Sequence, residues 1–189
     1  MKTYKHLFLI IIIGVFSCTE DNEFDVNCLP SNLQNGIIAF YPFNNGNLSD
    51  ASTNDNNLTN KTTATPGTDR NGNANCAYVF DNLPESGEFL TTSNSGFLNG
   101  LSEFSFSIWY YPMDSSRPGG IYESLLSRGM DGRCPDRSGE WSVGLYDNRR
   151  AVFGHDNSVW ANGVSEVDKW IMLLLLKMLI LIKYIGMGY

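Results

Sequence analysis

Short apolar runs of the strand type, separated by turn residues, restrict the fold of this chain more than any other feature. In the run Phe104–Trp109, which reads FSFSIW, Phe104, Phe106 and Ile108 alternate with Ser105, Ser107 and Trp109, the period that buries one face of a strand. Further strands are predicted at residues 36–43, 78–80, 89–92, 124–126, 141–146 and 151–153. No stretch before residue 170 keeps a helical period over three turns. The sequence therefore predicts an all-β fold, an antiparallel sandwich or jelly roll.

Composition limits the class of protein further. Of the 189 residues, 42% are hydrophobic and 17% are charged, which favours a packed interior over disorder or a coiled coil. The formal net charge of −7 opposes binding to a polyanion, so we expect no nucleic-acid partner. The four cysteines include no Cys-x-x-Cys pair, so no structural zinc site is expected. Residues 44–75 are rich in Asn, Ser, Thr and Gly and are predicted to form a long surface loop.

The N-terminal residues 1–17 have the form of a lipoprotein signal peptide, with a basic start, a short apolar run and a small residue before Cys18. The sequence VFSC at residues 15–18 resembles a bacterial lipobox, in which the thiol of Cys18 is lipidated and the peptide is cut before it. The lipid chains would then anchor the protein to a membrane. A polar tether is predicted for residues 18–34. The expected location is the outer membrane or cell surface, with a secreted protein as the alternative.

The composition changes abruptly after Trp170. Residues 171–182 are all aliphatic or Met except Lys177, but the run is shorter than the roughly 20 residues that a membrane-spanning helix needs. The polar alternation of the upstream strands is lost, so this segment is predicted not to be a strand of the domain. Our hypothesis is that residues 171–189 are an aberrant hydrophobic tail produced by a frameshift, and that the truncated product is insoluble or molten. Sequencing the gene through and beyond codon 170 tests the hypothesis, which fails if no other frame continues the domain.

The order of several motifs resembles a known family. They are IIAFYPFN at residues 37–44, DRNGNA at 69–74, AYVFD at 77–81, FSFSIW at 104–109, LLSRG at 125–129, WSVGL at 141–145 and DKW at 168–170. This series resembles a concanavalin A-like lectin/glucanase domain, and most nearly the laminin-G-like (LamG) domains of Bacteroidetes-type surface lipoproteins. The resemblance covers residues 35–170 and implies a jelly roll. In that family a buried strand and hairpin follow the Lys-Trp pair, so the resemblance also implies a domain that is incomplete at its C-terminus.

The acidic residues do not form the catalytic pattern of that fold. Its glucan-cleaving members place carboxylates on one strand in the order Glu-x-Asp-x-x-Glu, so that two of them flank the scissile bond. The nearest approach here is Glu166 and Asp168, and Ile171 stands where the last acid is required. Glu103 and Glu140 are isolated acids beside strand starts. The sequence therefore favours a protein without catalytic activity.

Four aspartates are candidate calcium ligands, because calcium takes hard oxygen ligands in flexible numbers and the resemblance implies such a site. They are Asp50, Asp55, Asp69 and Asp81. The alternative is that the side chains of this Asn-rich region satisfy their own backbone.

Exposed aromatics could stack on sugar rings, although in a sandwich they more often belong to the core. These aromatics are Trp109, Tyr110, Tyr111 and Trp160.

Three cysteines remain once Cys18 is lipidated, namely Cys28, Cys76 and Cys134. Because the number is odd, one of them is unpaired or lacks its partner, and the pairing stays open.

Taken together, the sequence predicts a non-catalytic binding or adhesion module on a surface lipoprotein, with a glycan or a surface protein as candidate partner. The alternatives are a glycoside hydrolase or lyase of the same fold, and a structural module of a larger surface protein.

Overall fold

The computed structural model describes residues 34–81, 87–93, 96–99, 101, 103–113, 122–128, 141–146, 149–154, 159–160, 162–177 and 180–186. The regular elements that lie wholly within these ranges are eleven β-strands and two short 3-10 turns. The strands are β1 Leu58–Asn60, β2 Thr65–Gly67, β3 Ala77–Val79, β4 Leu90–Thr92, β5 Phe104–Tyr110, β6 Glu123–Arg128, β7 Trp141–Tyr146, β8 Arg150–Gly154, β9 Val159–Trp160, β10 Ile171–Lys177 and β11 Ile180–Gly186. All their pairings are antiparallel, which confirms the predicted all-β class. No helix in the described ranges is long and apolar enough to cross a bilayer.

Two larger sheets pack face to face around one core. Their strand orders are β6-β7-β8-β9 and β11-β10-β5, and two small sheets pair β1 with β4 and β2 with β3. Trp141 on β7 reaches the opposite layer, where its ring centroid lies 5.3 Å from that of Phe104 and 6.2 Å from that of Phe106 on β5. The core therefore lies between the two larger sheets, as in other proteins built from stacked sheet layers.

Strand β5 follows its sequence alternation. Phe104, Phe106 and Ile108 pack against the core, whereas Ser105 and Ser107 are exposed. Burying every second residue removes the apolar side chains from water and leaves the serine hydroxyls hydrated. The predicted strand at residues 141–146 is also found, with the same bounds.

The expectation that residues 171–182 are not a strand of the domain is wrong. Strand β10 is the middle strand of its sheet, paired with β5 on one side and β11 on the other. Ile171, Leu173 and Leu175 are at most 2% exposed and belong to the same core as Trp141. The expectation of an insoluble or molten product assumed that these residues do not contribute to the core. Because they do, the reason for that expectation no longer holds. The frameshift hypothesis concerns the gene and stays a prediction.

Two physical reasons explain the error about the tail. The outer face of β10 is half-buried at Met172 and Leu174 and exposed at Leu176, yet all three are apolar, so the strand reads as a continuous apolar run rather than as an alternation. In addition, the run is two strands: Lys177 pairs with Ile180 at the hairpin end of β10 and β11, and not at the centre of one element. A charged residue at a strand end can reach water, so it does not argue against a buried strand.

The predicted first strand at residues 36–43 and the predicted loop at 44–75 are also corrected. Residues 37–43 form no strand, and β1 and β2 lie inside the Asn-rich region. The extended segment 37–43 is instead held by side chains of that region, which satisfy its backbone groups in place of a neighbouring strand.

Candidate binding surface

A buried carboxylate fixes the start of the Asn-rich region against the segment 37–43. Asp50 is 7% exposed. Its Oδ1 accepts the backbone N–H groups of Phe40 (2.8 Å) and Ser52 (2.9 Å). Its Oδ2 accepts the Asn56 N–H (3.0 Å) and the Ser52 hydroxyl (2.8 Å). Four donors on one carboxylate satisfy a buried charge, as its burial requires.

These donors also set the protonation state of Asp50. Burial by itself would raise the pKa of the carboxyl group, but the hydrogen bonds from Phe40, Ser52 and Asn56 outweigh it and hold the pKa below its ordinary value. Asp50 is therefore ionised at neutral pH, with its oxygens engaged by the protein itself.

Asparagine amides complete the attachment of the segment. The Nδ2 group of Asn56 donates to the carbonyl of Ile38 (2.8 Å), and that of Asn54 donates to the carbonyl of Ile37 (2.9 Å). The phenol O–H of Tyr41 donates to the Asn56 carbonyl (2.6 Å). Burial, followed by the negative charge of Asp50, raises the pKa of Tyr41 to about 12. The segment is thus locked by side chains from one short loop.

This attachment positions a continuous row of four aromatic rings, which we call the aromatic row. It consists of Tyr41, Phe43, Tyr78 and Phe80. Tyr41 and Phe43 stack at a centroid distance of 6.4 Å, Phe43 meets Tyr78 edge to face at 5.2 Å, and Tyr78 lies 6.4 Å from Phe80. Residues two apart on an extended chain point the same way, which aligns the two members from each segment.

The row is anchored at its hydroxyl groups and open at one end. The Tyr78 O–H donates to the Gly46 carbonyl (2.7 Å), so both phenols of the row point to backbone acceptors. Phe80 is 37% exposed, and the other three members are half-buried. Ring area therefore reaches solvent from a rigidly held set of side chains.

The backbone beside the row adopts a strained conformation. Phe43 has φ 59°, in the left-handed region that aromatic residues rarely enter, and Asn45 and Asn75 have φ 53° and 58°. The Gly46 N–H holds this turn closed by donating to the carbonyls of Phe43 (2.9 Å) and Asn75 (2.7 Å). Exposed Asn45 and Asn75 thereby flank the row with amide groups that both donate and accept hydrogen bonds. Strain of this kind is common at ligand-binding positions.

A shallow cleft of ≈ 490 Å³ opens at the other end of the segment 37–43. It is lined by Gly36, Ile37, Ile38, Asn54, Asn56 and Phe97. The Nδ2 groups of Asn54 and Asn56 in this cleft donate to the carbonyls of Ile37 and Ile38, so these two amides are engaged by the protein itself.

The structure does not bring the four candidate calcium ligands together. In the described part of the chain, no group of three or more His, Cys, Asp or Glu side chains is placed to hold a metal ion. Asp69 accepts the N–H groups of Asn71 (2.9 Å) and Asn73 (2.8 Å) within its own turn. Burial acts to raise its pKa, but these hydrogen bonds lower it overall. Asp55 and Asp81 are exposed.

The aromatics singled out from the sequence lie elsewhere. Tyr110 is a core residue whose hydroxyl is hydrogen-bonded to that of Ser165 at 2.5 Å. Trp109 lies on the outer face of β5, with the Arg70 guanidinium 4.8 Å from its ring centroid. Tyr111 is 38% exposed and rests against the Trp170 ring at 5.4 Å. Trp160 is part of β9, and its side chain is outside the described part.

The acids singled out from the sequence are exposed wherever the structure describes their burial. Glu166 is exposed and pairs with Lys169 at 2.5 Å. Asp168 is exposed, and its backbone N–H donates to the Pro112 carbonyl at 2.9 Å. Glu103 is exposed, and Glu140 lies outside the described residues.

Of the predicted cysteine sites, the structure places one. Cys76 is half-buried, forms no disulfide with a described residue, and donates its thiol to the Ala74 carbonyl at 3.5 Å. Cys18, Cys28 and Cys134 lie outside the described ranges.

The sequence analysis missed the aromatic row. The sequence places Tyr41 and Phe43 in one predicted strand, residues 36–43, and Tyr78 and Phe80 in another, residues 78–80. The signal that could have joined them is the shared spacing of two residues within each pair, next to a Gly at residue 46 that permits the turn between them. Comparisons with protein-family models, with curated proteins and with solved structures find no match to this chain.

Proposed function

We propose that the chain is a non-catalytic binding module for neutral glycans, carried on a surface lipoprotein, and that the aromatic row is its contact surface. The observation that carries the proposal is the row itself, with neighbouring centroids 5.2–6.4 Å apart and both phenols tied to backbone acceptors. Sugar rings present C–H faces that stack on aromatic rings, and their hydroxyl groups need donors and acceptors at the rim. Asn75, which is exposed at the edge of the row, carries an amide of this kind.

The charge of the chain supports a neutral ligand. The formal net charge is −7, so an anionic polysaccharide would be repelled over the range of the Debye length. A neutral glycan has no such penalty.

The finer fold belongs to the same proposal. The two packed antiparallel sheets, together with the motif order over residues 35–170, support a laminin-G-like jelly roll of the concanavalin A-like class. The lipobox at Cys18 supports membrane anchoring, which would present the module at the cell surface.

The test is a binding measurement on a panel of neutral polysaccharides by affinity electrophoresis, with one anionic polysaccharide included. Phe80→Ala removes the most exposed ring of the row, so we expect its affinity for the neutral ligand to fall by about tenfold, or about 1.4 kcal/mol. The matched control is Phe89→Ala, the same change at a residue that is 51% exposed and outside the row. We expect this control to keep the affinity of the unchanged protein.

Equal affinities of the two variants would contradict the assignment of the row as the contact surface. Binding to no neutral polysaccharide in the panel would contradict the glycan ligand and favour a protein partner. Tighter binding to the anionic polysaccharide would contradict the argument from charge. The unfolding midpoints of both variants, measured alongside, ensure that a lost affinity reports on the surface rather than on the fold.

A further inference from the structure

The chain contains five Asn-Gly dipeptides, and this pair is chemically labile in proteins. Glycine has no Cβ, so the backbone nitrogen that follows the asparagine is sterically open. The dipeptides are Asn35-Gly36, Asn45-Gly46, Asn71-Gly72, Asn99-Gly100 and Asn162-Gly163. Asn35 and Gly36 are exposed, but residues 32 and 33, whose carbonyls a turn would offer to the Gly36 N–H, lie outside the described ranges, as does Gly100. The other three pairs can be compared.

The reaction needs a free glycine nitrogen and water. The backbone nitrogen of the glycine loses its proton and attacks the side-chain Cγ of the asparagine. The bond from Cγ to the side-chain nitrogen breaks, ammonia leaves, and a five-membered cyclic imide forms. Water then opens either carbonyl of the imide, giving aspartate or isoaspartate. A hydrogen bond from the glycine N–H opposes the first step, because it must be broken before the nitrogen can attack.

The three dipeptides differ in how the structure engages this nitrogen. The Gly46 N–H donates to two carbonyls, those of Phe43 (2.9 Å) and Asn75 (2.7 Å). Gly46 is also enclosed, because a Cβ there would lie 2.7 Å from the Pro66 side chain. The Gly72 N–H donates to one carbonyl, that of Asp69, at 3.1 Å.

Gly163 is open, as Gly72 also is, and it differs from Gly72 in the state of its N–H. Asn162 and Gly163 are both exposed, and nothing lies within 4 Å of the place a Cβ would take at Gly163. Its φ of 109° is accessible to glycine and strained for other residues. In the described part of the structure, no hydrogen bond engages its N–H.

We propose that Asn162 is a spontaneous modification site, at which the chain converts to aspartate and isoaspartate, and that the fold protects Asn45 from the same reaction. Conversion adds a negative charge to the connection between β9 and β10. The isoaspartate product also lengthens the backbone by one carbon, three residues before the buried Ser165, whose N–H donates to the Arg149 carbonyl (3.0 Å). The proposal does not depend on the proposed glycan binding.

The test is peptide mapping by mass spectrometry after the full-length protein is incubated at mildly alkaline pH, with enzymatic methylation to detect isoaspartate. If each hydrogen bond slows the attack by about fivefold, Asn71 reacts about fivefold and Asn45 about 25-fold more slowly than Asn162. In denaturing urea the three rates are expected to converge, because all three asparagines precede glycine. The variant Asn162→Gln should lose the signal at residue 162 and keep the rate at Asn71.

Two results would overturn the proposal. One is an Asn45 rate equal to that of Asn162 in the folded chain. The other is a ranking that persists in urea, since the order would then come from the local sequence and not from the fold.

Discussion

The substitution Leu173→Ala tests whether residues 171–177 belong to the core. Leu173 is 0% exposed, lies opposite Ile108 in the β5–β10 pair, and belongs to the cluster around Trp141. Truncating a fully buried leucine removes its transfer free energy and leaves a cavity, which together cost about 2–5 kcal/mol. Because β10 is hydrogen-bonded on both sides, its backbone has little freedom to close the cavity, and we expect a cost of about 3 kcal/mol or more.

The control is Leu176→Ala, the same chemical change three residues along the same strand. Leu176 is 37% exposed and lies on the outer face, opposite Ser105, so we expect its substitution to cost about 1 kcal/mol or less. The change in strand propensity is common to both variants and cancels in the comparison.

The measurement is urea unfolding followed by tryptophan fluorescence, to which Trp141 contributes from the core. We expect the free energy of unfolding to fall far more for Leu173→Ala, with an unchanged slope against urea. A loss of 3 kcal/mol should also lower the Tm by roughly 6–12 °C in a chain of this size. If the two variants lose equal stability, or if neither loses as much as about 0.5 kcal/mol, then β10 is not a core strand and the aberrant tail is the better description.

Two further predictions concern the aromatic row and the membrane anchor. With a pKa of about 12, Tyr41 should ionise at higher pH than a tyrosine with the ordinary pKa of 10.0. The stability gained by burying its neutral phenol is therefore full below pH 10 and is lost as the pH rises towards 12. In an alkaline absorbance titration, Tyr41→Phe should remove a transition near 12, and loss of a transition near 10 instead would contradict this. Cys18 should incorporate a labelled fatty acid in a bacterial host, and Cys18→Ser should abolish both the label and the membrane fraction of the protein. A label retained by the variant would show that the lipid is attached at another residue and would contradict the prediction.

Period-two patterns gave the part of the fold that was predictable. In β5 the apolar and polar positions alternate from Phe104 to Ile108, so local sequence and burial agree there. The bounds of β7 were also predicted, because a short apolar run bounded by turn residues has few other uses in a chain without helical periodicity. Both cases depend only on neighbours in sequence.

The errors occurred where partners distant in sequence decide the structure. The local pattern of an apolar run such as residues 171–177 does not indicate which strands lie beside it. The pairing of Ile171 with Tyr110 therefore cannot be predicted from that pattern. The segment 37–43 has strand-forming residues, yet Asp50, Asn54 and Asn56 take its backbone groups by side-chain hydrogen bonds. The aromatic row likewise combines two segments that are distant in sequence, and they meet where the Gly46 N–H donates to the Asn75 carbonyl.

The position of β10 has a consequence for the order of folding. Strand β10, the middle strand of its sheet, follows β5, β7 and β8 in the chain, so each of them is synthesised before the strand that completes their shared core cluster. Until residue 175 has left the ribosome, Trp141 and its neighbours lack the leucines that cover them. Closure at long sequence separation is slow and leaves apolar surface open to other proteins in the meantime. If the chain is exported as the proposed lipoprotein, such delayed closure is an advantage, because it keeps the nascent polypeptide in a form that can still be threaded through a membrane channel.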